Sequence, residues 1–292
     1  MHEFIRKLLA RGPTITDGAW GTELQARGLP SGDLPDLWNL THPDRVADVA
    51  RAYVEAGSQI ILTNTFGANR LRLAGHSLEG RVTEINREGV QLSRQAAEGR
   101  AFVFASMGPC GKMLMTGETN LDELRSVFEE QAAALADGGA DAIVIETMSD
   151  LDEARAAVAA ARTTRLPVVA CMVFDAGKEK DRTMMGATPE QVACGLKEAG
   201  ADVIGANCGV SIDRFVPVCQ RLRAATDQPV WIKANAGLPS VENGKVLYRT
   251  TPTEFAAHVP ALLTAGASFV GGCCGTNPDF IRAIKQRIAQ TG

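Results

Sequence analysis

Three cysteines close two apolar runs of this chain, Cys208 in ADVIGANCG (201–209) and Cys273 with Cys274 in ASFVGGCCG (267–275). Neighbouring cysteines seldom form an ordinary disulfide, because its Cα atoms stand further apart than adjacent residues allow. In a regular strand their side chains would point to opposite faces. Gly271, Gly272 and Gly275 permit a bend that aims both sulfurs at one point. Cys208 and Cys273 lie 65 residues apart, the length of two strand–helix units, which places them at equivalent strand ends. Taken singly, each is a small buried hydrophobe. Taken together, they make a zinc site one ligand short of tetrahedral, and an open fourth position marks a catalytic site.

Zinc with three thiolates has a formal charge of −1. Such an ion activates water poorly, which argues against hydrolysis. It suits the binding of a further thiol, whose proton is lost on coordination. A free thiol, with a pKa of about 8.5, is mostly protonated at neutral pH. The chemistry expected is alkyl transfer to a substrate sulfur. Asp17 and Glu146 also end apolar runs. They either cap helices and hold loops or receive a substrate ammonium, and amides after the glycine turns suit a carboxylate. Asn207 and Asn235 are further polar groups at strand tips.

The elements that must position these groups alternate along the chain. Strand candidates are 13–18, 59–66, 101–108, 141–148, 167–174, 201–209, 229–237 and 267–275. They read as continuous apolar runs, as parallel strands buried on both faces should. Helical stretches between them start on polar residues and stop at glycine, with Thr188-Pro189 and Thr251-Pro252 as capped starts. Eight such units predict a single (β/α)8 TIM barrel over residues 1–292, with the zinc site at the C-terminal rim of the strands. A doubly wound open sheet is the weaker reading, because no G-x-G-x-x-G follows the first strand. Residues 28–44 and 108–120 are expected to be long loops over that rim.

Composition narrows the function further. The net charge of −4 disfavours a nucleic-acid surface. No apolar stretch is long enough to predict a transmembrane helix. The N-terminal segment MHEFIRKLLARGPTI is amphipathic and interrupted by Arg6, Lys7 and Arg11, unlike a signal peptide, so a cytoplasmic location with reduced thiols is expected. Cys171, Cys194 and Cys219 read as fillers, Cys110 overhangs the rim in its GPCG loop, and none of the four histidines shows ligand spacing.

The motifs DGAWGTELQARG (17–28), ILTNTFGANRLRL (61–73), ETMSD (146–150), NCG (207–209), NAGLP (235–239) and GGCCGTNP (271–278) resemble the homocysteine S-methyltransferase family. The likeness spans nearly the whole chain and is strongest to the homocysteine-binding barrel of cobalamin-dependent methionine synthases. It implies a zinc barrel that methylates L-homocysteine to methionine. Cys208, Cys273 and Cys274 would be the zinc ligands, Asp17 and Glu146 the homocysteine-binding acids, and Asn235 a residue beside the zinc. The folate and cobalamin modules of the synthases are not in this sequence, so the expected donor is methylcobalamin on a separate corrinoid protein. S-methylmethionine or betaine is the small-donor alternative, and betaine is disfavoured because the extra C-terminal segment of betaine-using relatives is not seen. A non-catalytic subunit that binds homocysteine and zinc, or a structural zinc protein, is the reading from another class. Lys233 and Cys110 are departures without an assigned role, and Trp38 either packs its loop or covers a cationic donor.

Overall fold

The computed structural model describes residues 1–242 and 245–290. Its principal sheet is an eight-stranded parallel barrel. The strands are β1 (Thr14–Ile15), β2 (Ile60–Ile61), β3 (Phe102–Met107), β4 (Ala142–Met148), β5 (Val168–Met172), β6 (Val203–Cys208), β7 (Val230–Ala234) and β10 (Ala267–Gly272). They are ordered β1-β10-β7-β6-β5-β4-β3-β2, all neighbours parallel. The seam between β1 and β2 closes through single bonds: Gln59 N donates to Ile15 O at 2.8 Å, and Ile15 N to Gln59 Oε1 at 2.9 Å. Two further strands, β8 (Ser240–Glu242) and β9 (Lys245–Leu247), form a separate antiparallel pair between β7 and β10.

Each strand run is continuous in sequence but divided by parity in space. Val103, Ala105, Ile143 and Ile145 face the surrounding helices, while Phe104, Val144, Val169, Trp231 and Phe269 fill the barrel interior. Trp231 joins that layer, its ring centroid 6.1 Å from Phe104 and 5.1 Å from Phe269. Ile5 and Leu8 of the helix Glu3–Leu9 belong to the same cluster, so the N-terminal amphipathic segment plugs the barrel. The next inward positions, two residues on, are Ser106, Glu146, Cys171, Lys233 and Gly271, with Asn207 of β6 paired beside Lys233 and Cys273 one step further toward the rim. The interior therefore changes from apolar to polar within one layer as the strands approach the rim. Gly271 is required there, since a Cβ would lie 1.9 Å from Thr16 Oγ1.

The helices begin as their caps predict: Thr188 and Thr251 each form a capping box, with Gln191 and Glu254, before a proline-led first turn. Two expectations are corrected. The helical stretch that starts at Thr251-Pro252 is not one helix but two, Pro252–Ala257 and Val259–Thr264, because Pro260 has no N–H to continue the first. The segment 28–44 is not plain loop, for it contains the turn Pro35–Leu37 and the helix Trp38–Thr41. Among the described residues no helix is long and apolar enough to cross a membrane.

Candidate metal centre

The last residue of β6 and the two residues after β10 bring three sulfurs together, with Cys208, Cys273 and Cys274 Sγ all within 4.8 Å of one another. Cys208 and Cys273 Sγ are 3.1 Å apart. Among the described residues this is the one cluster of three His, Cys, Asp or Glu ligand atoms able to hold a metal ion. The backbone fixes its frame: Cys273 N donates to Ala234 O at 2.7 Å, Ala236 N to Cys274 O at 2.9 Å, and Asn235 N to Cys208 O at 3.2 Å. Strand β7 thus holds the two sulfur-bearing ends in place on either side of it.

Cys208 adopts φ +59° and Thr147 φ +63°, left-handed conformations that cost about 1–3 kcal/mol each for residues with a side chain. Asn207 stabilises the neighbouring turn, accepting from Thr147 N at 2.8 Å and donating to Thr147 Oγ1 at 2.7 Å. It also lies 3.9 Å from Cys273 Sγ. The left-handed turn aims Cys208 at its partners instead of continuing the alternation of β6.

Three thiols so close do not all ionise without a cation. Hydrogen bonds from Cys208 and Cys273 pull Cys274 down to about 3. Cys208 is pushed well up, first by its hydrogen bonds to Cys273 and Cys274 and then by burial. Its bond to Cys208 lowers Cys273, but Cys274 and burial outweigh it and leave Cys273 at about 11. Without a cation the thiols hold one another's protons, and a bound zinc would displace those that remain. All three cysteines are half-buried and face the mouth. A soft, convergent and partly open donor set of this kind fits zinc.

Asn235 follows β7 beside the sulfurs. Its Nδ2 donates to Gly209 O at 2.7 Å, while its buried Oδ1 meets no donor among the described residues. Glu146 ends the inward row of β4, 8% exposed, and accepts from Ser106 Oγ at 2.5 Å. Burial pushes Glu146 up to about 7, against the opposing attraction of Lys233. Asp17, expected to face a substrate ammonium, has no exposure. Its Oδ1 is 2.5 Å from Lys233 Nζ, and its Oδ2 accepts from Trp20 Nε1 and Leu62 N, both at 2.7 Å. Burial works against the Lys233 charge, but Asp17, Glu146 and Cys273 outweigh it and raise its pKa.

Cys110 does not join the sulfurs. It is buried, its N donates to Glu153 Oε1 at 2.7 Å, and its Sγ lies 3.2 Å from Lys112 N. Trp38 is buried against His42, with the Arg45 guanidinium 5.2 Å from its ring, so it packs its own segment. Ser106, Asn207 and Tyr248 have roles that the sequence reading did not assign. The period-two step beyond Phe104 and Gly205 signals the first two. Tyr248 follows β9, and the Asn243-Gly244 pair between two short alternating runs is the hairpin signal that would have found its support.

Tyr248 lies over the Cys274–Gly275 turn. Gly275 has φ +80°, and a Cβ there would stand 2.1 Å from Tyr248 Cγ. Gly275→Ala is therefore expected to displace the ring and the Cys274 backbone together. Zinc affinity should fall about 10–100-fold, as for loss of a group that orients a ligand, read by competition with a chelator. An unchanged affinity would show that the turn does not hold Cys274 in place.

A model of the homocysteine S-methyltransferase family matches residues 14–288. The methionine synthases of Mycobacterium tuberculosis (strain ATCC 25618 / H37Rv) and Mycobacterium leprae (strain TN) are 31% and 30% identical to this chain, each over 97% of it. Those matches cover 25% of either relative, so the chain spans about a quarter of their length. Among solved structures, the metallated form of the Escherichia coli homocysteine methyltransferase MmuM is 26% identical with a TM-score of 0.81, covering 97% of this chain and 99% of that one. Its oxidised form matches with a TM-score of 0.80, covering 98% and 100%.

Proposed function

The chain belongs to the homocysteine S-methyltransferase family, and on that premise we propose that it transfers a methyl group to the thiol of L-homocysteine to give methionine. The observation that carries this reading is the convergence of three sulfurs at an open rim, one layer above a carboxylate with an oxygen to spare. Cys208, Cys273 and Cys274 would hold one zinc ion. Bound there, zinc would take the acceptor sulfur as a thiolate, nucleophilic at neutral pH.

The chain's own groups do the positioning. Glu146 Oε2 meets no donor among the described residues and receives the acceptor's ammonium. Asn235 Oδ1, buried and unpartnered, accepts from a group beside the sulfurs. Asp17 and Lys233 form the charged floor beneath them. The acceptor thiol gives its proton to solvent, and its sulfur forms a new bond to the donor's methyl carbon. With methylcobalamin on a partner corrinoid protein, the breaking Co–C bond leaves its electron pair on cobalt. With S-methylmethionine, the breaking S–C bond leaves its pair on the departing thioether. The likeness to methionine synthases supports the corrinoid donor. The likeness to a homocysteine methyltransferase over 99% of that chain supports a small donor as the second reading.

Zinc-loaded protein with homocysteine and methyl-labelled methylcobalamin, S-methylmethionine or betaine is expected to yield labelled methionine from at least one. Homocysteine bound without turnover from any of the three would point to a non-catalytic subunit instead.

A pH dependence follows from Glu146. With its carboxyl at about 7, it is mostly ionised at pH 8 and mostly protonated at pH 6. Only the carboxylate attracts an ammonium, so wild-type affinity for homocysteine should fall about tenfold from pH 8 to pH 6 relative to Glu146→Gln. The ratio of the two proteins cancels the thiol's own titration. A ratio flat across that range would remove Glu146 from acceptor binding.

A further inference from the structure

We infer that the Lys233–Asp17 pair withdraws Asp17 from substrate binding and leaves the acceptor's ammonium to Glu146 alone, so that the site takes short thiol carboxylates with or without an α-amino group. This deepens the homocysteine reading and rests on it. Lys233 projects inward from β7, opposite Asn207 on one side and Gly271 on the other. Its side chain is 2% exposed and that of Asp17 0%. The two carboxylate oxygens of Asp17 already take three donors, Lys233 Nζ, Trp20 Nε1 and Leu62 N. An arriving ammonium would have to displace one of them, and displacing Lys233 would leave a buried cation unpaired.

Other carboxylates in the loops at this end of the barrel are also engaged. Asp150 caps the helix Leu151–Arg162, Glu153 accepts from Cys110 N, and Asp36 accepts from Gly67 N. Glu146 differs from them. Its Oε1 accepts from Ser106, its Oε2 meets no donor among the described residues, and it ends the inward row of β4, one layer below the sulfurs. Lys233 forms its ion pair with Asp17 and not with Glu146. One charged contact therefore distinguishes an amino acid thiol from its deamino analogue, where two acids would have made the amino group indispensable. The remaining recognition lies in the sulfur and the carboxylate, which homocysteine shares with 4-mercaptobutanoate.

The test is calorimetric binding of L-homocysteine and 4-mercaptobutanoate to zinc-loaded wild-type protein, Glu146→Gln, and the double variant Asp17→Asn/Lys233→Met, which removes the pair without leaving a lone charge. A single charged hydrogen bond predicts that wild type prefers homocysteine by about 10–100-fold. In Glu146→Gln the preference should shrink to within about threefold of unity, and in the double variant it should stay within about threefold of wild type. A wild-type preference above about a thousandfold would overturn the inference. So would a tenfold preference surviving in Glu146→Gln, or a tenfold loss of preference in the double variant. Wild type that binds neither thiol would instead sink the homocysteine reading and this inference with it.

Discussion

Replacing Cys208 with alanine is expected to abolish methyl transfer and to lower zinc affinity roughly 100–1,000-fold. The magnitude follows from sharing the ~10–16 kcal/mol of a four-ligand zinc site among its ligands, which gives ~2.5–4 kcal/mol for each. Two thiolates would remain, on a stretch whose backbone is fixed by Ala234 and Ala236 and not by the metal. The barrel should therefore survive: the Cys208 side chain is half-buried at the rim and belongs to neither of the two large apolar clusters. Metal content after dialysis against a chelator is the reading, expected to fall from one zinc per chain to a small fraction. Cys194, exposed on the helix Pro189–Ala199, supplies the control, and its alanine variant should keep the full complement. Equal zinc in both variants would mean that the three sulfurs do not share an ion.

Lys233→Met should be the most destabilising single change in the polar layer. It leaves the Asp17 carboxylate with no exposure and without its cation, a situation that costs about 3–5 kcal/mol when one member of a buried pair is removed. For a chain of this size that corresponds to a melting temperature lower by roughly 10 °C. Adding Asp17→Asn should recover most of the loss, because the amide oxygen can still accept from Trp20 Nε1 and Leu62 N without a charge. Thermal denaturation of the two single variants and the double variant measures the coupling directly. Additive losses would show that the pair contributes only as two separate buried groups.

The barrel was legible in the sequence because buried parallel strands leave a coarse mark, a continuous apolar run ended by a polar group. The sulfur cluster was legible for the same reason, since Cys208 and Cys273 close equivalent runs and the glycines around Cys274 announce a bend. What the sequence did not carry was which rim groups meet. Asp17 and Lys233 are 216 residues apart, and their contact depends on β10 lying between β1 and β7. A strand-end aspartate shows no sign of a buried cation partner until that register is known. The left-handed turns at Thr147 and Cys208 are equally silent, because neither residue type announces a positive φ. Parity, by contrast, was available: counting two residues on from Phe104, Val144 and Trp231 arrives at Ser106, Glu146 and Lys233.

If three sulfurs and one metal ion activate an acceptor thiol, titrating zinc-loaded protein with homocysteine at neutral pH, beside Cys208→Ala, releases protons. About one proton per homocysteine bound, absent in the variant, is the predicted result. Homocysteine bound to the zinc-loaded wild type with no proton released would contradict thiol activation at this site.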